Sequence, residues 1–370
     1  MKRRKFLKIA CQTTVGLGLV SSISCRTERG DHTRFGPPDA SKPLISDLEF
    51  LIPKLMKEKI VPGVSLLLIE DGRPVWRRGF GVRDTLLKVP VDDTTVFEAQ
   101  SMSKPVFAYA AMKLCERGRI DLDTPLTRYT TERRIKDDPR LDLITARHVL
   151  SHSTGFQNWA SEKAPLKIDF APGSEYRYSG EGYSYLQSIV AKLTGQPFEP
   201  FMAANILQPF RMADSGYFWN KKLKAKQARP HDAKGDPINK PDPTPVDVAK
   251  YGSAGGLFTT ATDYAKFLIE AVHPKSDDPF RLNSKSFGEM IRPQIKLKDD
   301  PYNRSRGLGW ELAPSKKGMV IQHGGDNPGV HSFAGYCVEN QRGFVIMTNG
   351  DKGWEIILRL GENIRPFLEG

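Results

Sequence analysis

Cysteine is scarce in this chain, with four in 370 residues. Cys11 falls in the leading segment and Cys25 at a processing-like site; if Cys25 carries a lipid, only Cys115 and Cys337 remain to pair, and two buried thiols are expected rather than a bridge. Long apolar runs are missing as well. The apolar stretch at residues 9–20 falls short of the roughly 20 residues that a membrane-spanning helix requires. No repeat at solenoid or propeller periods occurs, which excludes those arrays. No nucleic-acid motif is found, so no DNA or RNA partner is expected. Metal-ligand groupings are thin too: His148 and His152 stand four apart, but Val149 occupies the place where a zinc protease carries Glu, and no third ligand stands out. Those two histidines are expected to cap and pack, and neither a metal nor an organic cofactor is expected.

The hydrophobic share is 39%, enough for a packed core, and the length fits one large domain or two. A net charge of +12 suits anionic surfaces or substrates, and equally a solvated basic face. Part of it is concentrated at the start, where Lys2, Arg3, Arg4, Lys5 and Lys8 precede the apolar residues 9–20 and Ser21, Ser22 and Ser24 follow. Basic, apolar and small residues in that order predict an export signal over residues 1–24, and hence a periplasmic or extracytoplasmic location. Arg3-Arg4-Lys5-Phe6-Leu7-Lys8 also resembles the bacterial twin-arginine signal. Cys25, after Ile23-Ser24, resembles a lipoprotein processing site, with Ser22 in place of the usual aliphatic residue. Membrane anchoring through a lipid on Cys25 therefore stays open. Residues 25–44, polar and rich in Pro and Gly, predict a flexible tether, and the folded domain is expected over 45–370.

Within that domain, 46–59 has helical apolar spacing, while 64–69 is an aliphatic run joined by the turn 70–73 to an alternating stretch at 74–82, a β-hairpin pattern. A helix is expected to start at or near Ser101 and to stop at Gly118, buried on most sides by its small and apolar residues. From about 120 to 300 the signals are mainly helical, at 145–151, 183–193, 197–206 and 262–272. The segment 221–245, rich in Lys, Asp and Pro, reads as a long surface excursion. Strands return at 307–312, 319–322, 331–338 and 343–348, and an amphipathic helix closes the chain over 354–368. The expected fold class is α+β: one antiparallel sheet built from both chain ends, flanked by helices, with a mainly helical insert at about 120–300. A cleft between insert and sheet is the natural place for a site.

Three stretches carry chemistry. In Ser101-Met102-Ser103-Lys104 a helix starting near Ser101 puts a hydroxyl and an amine one turn apart on one face. A serine hydroxyl needs a neighbour to take its proton, and a lysine does so only if burial or nearby positive charge lowers its pKa. The helix N-terminus adds backbone N–H groups where an oxyanion develops. The same serine would otherwise be an ordinary N-cap. In the glycine-rich segment from Pro172 to Tyr183, Tyr178 is displayed at a helix entrance, where a phenol between cations relays a proton or orients the nucleophile. In His323-Gly324-Gly325-Asp326, glycines at a strand end let a substrate backbone approach, and the following N–H is a candidate oxyanion donor. Trp159, Tyr176, Tyr183, Trp310 and Phe333 are candidates for the cleft wall and equally for the core. The α/β-hydrolase elbow Gly-x-Ser-x-Gly is absent, because Ser151-His152-Ser153-Thr154-Gly155 has Ser where the first Gly is needed.

These three motifs, in this order, resemble the serine β-lactamase and penicillin-binding family, in particular its class C β-lactamase, D-alanyl-D-alanine carboxypeptidase and esterase branch. The likeness extends to His148-Val149-Leu150-Ser151-His152-Ser153-Thr154-Gly155, Ala171-Pro172-Gly173 and Gly255-Gly256-Leu257-Phe258-Thr259-Thr260, and covers roughly residues 45–367. The resemblance implies a β-lactamase/transpeptidase-like fold, Ser101 as the acylated nucleophile, Lys104 as its activator, Tyr178 as the proton carrier to the leaving group, and the N–H groups of Ser101 and Asp326 as the oxyanion hole. Two positions depart from the pattern. Gly180 stands where the second motif usually carries Asn, removing an amide contact to substrate and to Lys104. His323 stands where Lys is common, replacing a permanent cation with a group mostly neutral near pH 7. Both fit an esterase or D-residue peptidase better than an efficient antibiotic-destroying enzyme. The expectation is an exported hydrolase acting through an acyl-enzyme on a small ester, a D-amino-acid peptide or a β-lactam-like amide, cell-wall fragments included. The alternative is a non-catalytic periplasmic binding protein that keeps the fold. Oligomeric state is not set by the sequence.

Overall fold

Strands from the two ends of the chain meet in the middle of one antiparallel sheet. The computed structural model describes residues 41–370; the stretch expected as an export signal, Cys25 and most of the stretch expected as a tether lie outside the described residues. Strands β1 (Gly63–Glu70), β2 (Arg73–Asp84) and β3 (Val89–Pro90) come from the N-terminal side. A short β4 (Phe97–Glu98) pairs with β5 (Phe258–Thr259) as a separate ribbon. From the C-terminal side come β6 (Ile295–Lys296), β7 (Ser305–Arg306), β8 (Glu311–Ser315), β9 (Gly318–Asn327), β10 (Val330–Cys337) and β11 (Arg342–Thr348). The nine-stranded order is β3-β2-β1-β11-β10-β9-β8-β7-β6. β1 lies against β11 with Val64 opposite Thr348 and Leu68 opposite Phe344. Every residue of β1 is buried, as an aliphatic run between two covered faces must be.

Two helices cover one face. α1 (Lys42–Lys59) presents Leu48, Ile52 and Leu55, and the C-terminal helix presents Ile356, Leu360 and Ile364, to the outward residues Val64, Leu66 and Leu68 of β1. α1 starts three residues inside the stretch expected as tether. The other face packs on α2 (Ser103–Glu116), buried from Ser103 to Leu114. The insert follows with α3 (Ala146–Leu150), α4 (Gly180–Thr194), α5 (Phe198–Met202), α6 (Lys221–Lys224), α7 (Pro245–Gly255), α8 (Ala261–Ala271) and α9 (Ser284–Met290). The helix α10 (Gly353–Glu369) then closes the chain.

Three local expectations are corrected. Residues 221–245 are not merely a surface excursion: Ala228 and His231 are buried, and the Ala228 N–H donates to the Val96 carbonyl at 2.8 Å. Backbone hydrogen bonds and one histidine hold this segment, which an apolar count does not register. The strand expected at 307–312 begins at Glu311, because Gly307, Leu308, Gly309 and Trp310 turn the chain between β7 and β8. The third motif does not end its strand, since β9 runs on to Asn327. Cys115 is half-buried, Cys337 is buried, and both are free thiols. Among the described residues no helix is long and apolar enough to cross a membrane.

Candidate active site

Ser101 sits in a single 3₁₀ turn, Gln100–Met102, ahead of α2. Gln100 adopts φ 49°, a left-handed conformation that costs a non-glycine residue free energy and persists only when its surroundings enforce it. They do so here through a ring of hydrogen bonds. Gln100 Nε2 donates to Glu98 at 2.7 Å, and Lys240 holds Glu98 at 2.5 Å. Ser103 Oγ donates to the Gln100 carbonyl at 2.6 Å and accepts the Leu257 N–H at 2.9 Å. The Ala99 N–H reaches the Leu257 carbonyl at 2.9 Å. The stretch around Leu257, one of the secondary motifs, is thus the clamp that shapes the Ser101 turn.

Lys104 is 1% exposed. Its Nζ lies 3.2 Å from Ser101 Oγ and donates to the Ala254 carbonyl at 2.6 Å. Burial, helped by the Arg306 guanidinium, lowers its pKa to about 7. A neutral amine there gives one hydrogen to Ala254 and keeps its lone pair for the serine proton.

Tyr178 stands just before α4, with its ring 4.3 Å from that of His152 in a stacked arrangement and beneath Lys104 Nζ at 4.7 Å. Its hydroxyl interacts with Ser101, yet burial outweighs that hydrogen bond and the Arg306 charge and pushes its pKa up to about 12. The neighbouring cations do not acidify this phenol: it stays protonated near neutral pH, because desolvation disfavours the phenolate more than the cations favour it. His152, at φ 58° and buried, accepts the Ser179 N–H at 3.1 Å. Burial first, and then Arg306 and Lys104, hold it neutral.

His323 projects from β9 into the same space. Its Nδ1 is 2.7 Å from the Gly324 carbonyl; a carbonyl only accepts, so Nδ1 carries the hydrogen and Nε2 keeps a lone pair. Burial, then Arg306 and Lys104, press its pKa well below the ordinary range, so His323 supplies no cation for a substrate carboxylate. Gly325 faces the nucleophile turn: a Cβ there would lie 2.1 Å from the Ala99 carbonyl oxygen. Its lack of a side chain serves the contact between strand and turn rather than the approach of a substrate. Asp326 turns its carboxylate to His331 Nδ1 at 2.8 Å, leaving its backbone beside the cleft. β8 reaches only to Glu311, opposite Gln322, so the edge of β9 beyond that point has no strand on it. Gly180 does not line the cavity, because Trp159 lies over it.

A cavity of about 1030 Å³ is lined by Ser101, Lys104, Tyr178, His323 and Asp326 together. Trp159 and Phe333 also line it, whereas Tyr183 and Trp310 are core residues. Sequence reasoning missed Arg306. This residue donates to the Tyr176 hydroxyl at 2.9 Å, pairs with Glu311 at 3.0 Å, and adds positive charge near Lys104, His152 and His323. Its signal is weak, since an arginine before Gly307 belongs to no motif and meets the site only through the pairing of β7 with β8.

Fold and site define a serine hydrolase. The family model described as Beta-lactamase matches residues 48–360, and the chain belongs to that family. It is 28% identical over 258 residues to esterase EstB of Burkholderia gladioli, covering 60% of this chain and 64% of that protein, just under two thirds of the relative's length. It is 24% identical over 348 residues to penicillin-binding protein 4* of Bacillus subtilis strain 168, covering 81% and 71% of the two chains. The fold is also similar to a β-lactamase/D-alanine carboxypeptidase structure from Pseudomonas syringae, with TM-score 0.75 at 18% identity over 87% of this chain and 98% of that one.

Proposed function

We propose that the chain is an exported hydrolase that cleaves a small ester or D-amino-acid peptide through an acyl-enzyme on Ser101. The observation that carries this reading is the Lys104 amine, 3.2 Å from Ser101 Oγ with its pKa lowered to about 7, in a cavity shared with Tyr178. Ser101 Oγ attacks the carbonyl as its proton passes to Lys104, and the N–H groups of Ser101 and Asp326 receive the oxyanion. Tyr178 passes a proton to the leaving atom as the tetrahedral adduct collapses. Lys104 returns the serine proton to Tyr178, so both groups regain their starting states. Water then attacks the acyl-Ser101 ester as it gives up a proton to Lys104, and that proton passes to Ser101 Oγ as the acid leaves. The neutral His323 and the missing amide at Gly180 support an ester or D-peptide over a β-lactam. In the same reading residues 1–24 direct export, the following residues tether the domain, and a lipid on Cys25 would hold it at the membrane face.

A fluorophosphonate probe tests the core of this proposal. Wild type should be labelled and Ser101→Ala should not; an unlabelled, folded wild type refutes it and favours a binding protein. A panel of p-nitrophenyl esters, D-alanyl peptides and nitrocefin then ranks the substrates, and mass spectrometry of the membrane fraction checks Cys25.

A further inference from the structure

Position 180 has no side chain, and the space one would occupy is filled. A Cβ built on Gly180 would lie 2.3 Å from both Cη2 and Cζ2 of Trp159, a separation no real Cβ tolerates. Glycine at 180 and tryptophan at 159 are therefore one matched unit. The loop that carries the indole is bolted to the start of α4. The Gly180 N–H donates to Asn158 Oδ1 at 2.9 Å, and the Glu181 N–H to the Asn158 carbonyl at 3.0 Å. Glu181 Oε1 in turn accepts the Ala160 N–H at 3.1 Å. Both neighbours of Trp159 are thus fixed, and Tyr251 of α7 meets the indole edge-on at 5.3 Å. The ring is nonetheless 43% exposed and lines the cavity that holds Ser101. A large apolar ring held still and left half-open is a surface awaiting an apolar group.

We propose that Trp159, seated on Gly180, is the wall that selects the acyl group of the substrate, favouring an aromatic or bulky apolar acyl over a small one. The inference rests on the acyl-enzyme reading and names its substrate class. The leaving group must meet the Tyr178 hydroxyl, which is hydrogen-bonded to Ser101, whereas Trp159 packs over Gly180, two residues further along the chain, and is left to the acyl portion. Stacking on an indole discriminates by about tenfold between acyl groups with and without a ring.

The test compares p-nitrophenyl phenylacetate with p-nitrophenyl acetate, which share a leaving group. Wild type should favour phenylacetate in kcat/KM, and Trp159→Ala should lower the phenylacetate-to-acetate ratio about tenfold. Gly180→Ala, whose methyl displaces the indole, should lower the same ratio, and in the double variant Gly180→Ala/Trp159→Ala the glycine change should add no further loss. A labelled, active wild type whose ratio is unmoved by Trp159→Ala overturns the wall while leaving the hydrolase standing, as does additivity of the two changes. A wild type that fails to label at Ser101 sinks both.

Discussion

At the scale of single residues, activity depends on which protons the buried groups hold. Lys104 is depressed chiefly by burial and next by Arg306, so kcat/KM should rise through a midpoint near pH 7 as the ammonium loses its proton. Replacing Arg306 by Gln removes a neighbouring positive charge and so favours protonated Lys104. The midpoint should move to higher pH, and a profile that stays put or moves down refutes the assignment. Between about 7 and the ordinary 10.5 of lysine the folded chain binds fewer protons than the unfolded one, so stability climbs with pH across that window and the cost of burying the charge is complete below it. Tyr178 is expected to act as a protonated phenol. Tyr178→Phe should lower kcat by about 10², the scale of a lost acid–base group, and near-normal turnover would show that the proton travels elsewhere.

At the scale of elements, the site depends on how closely β9 approaches the Ser101 turn. Ser332 Oγ donates to the Ala99 carbonyl at 3.0 Å from the neighbouring β10, and Gly325 leaves room for that carbonyl. Gly325→Ala should push strand and turn apart and slow fluorophosphonate labelling by about tenfold to a hundredfold, the cost of misplacing a reacting group by an ångström. Circular dichroism would report a retained sheet in the same samples. A labelling rate equal to wild type would mean that the contact does not position Ser101. The glycine is legible in the sequence as a point of close approach, but the motif alone points to a substrate as the approaching group. Only the register of β9 against β10 and the Ser101 turn identifies it as the chain's own carbonyl.

At the scale of the whole molecule, the sheet holds together because its first and last long strands are adjacent and one helical layer, α1 with α10, seals them. Leu360 is fully buried in that layer with Leu48 and Ile52. Leu360→Ala should cost about 2–5 kcal/mol in urea unfolding, and a change below about 0.5 kcal/mol, within the range of surface substitutions, would mean that α10 is not part of the cooperative core. The same closure carries β9 and its His323 from the C-terminal half to the helix that begins after Ser101.

Local pattern determined much of this protein. The period of apolar residues marked the hairpin of β1 and β2, the buried α2 and the amphipathic α10, and Ser101, Lys104, Tyr178 and His323 stood out because each lies in a short motif whose chemistry depends on neighbours close in sequence. Tertiary structure alone decided the rest. That Tyr178 stays protonated, that His323 is a neutral acceptor, that Arg306 adds its charge to the site and that Trp159 occupies the place above Gly180 all follow from burial and from contacts between segments far apart in the chain. Desolvation and packing are properties of the assembled interior, and no stretch of sequence contains them until the segments meet.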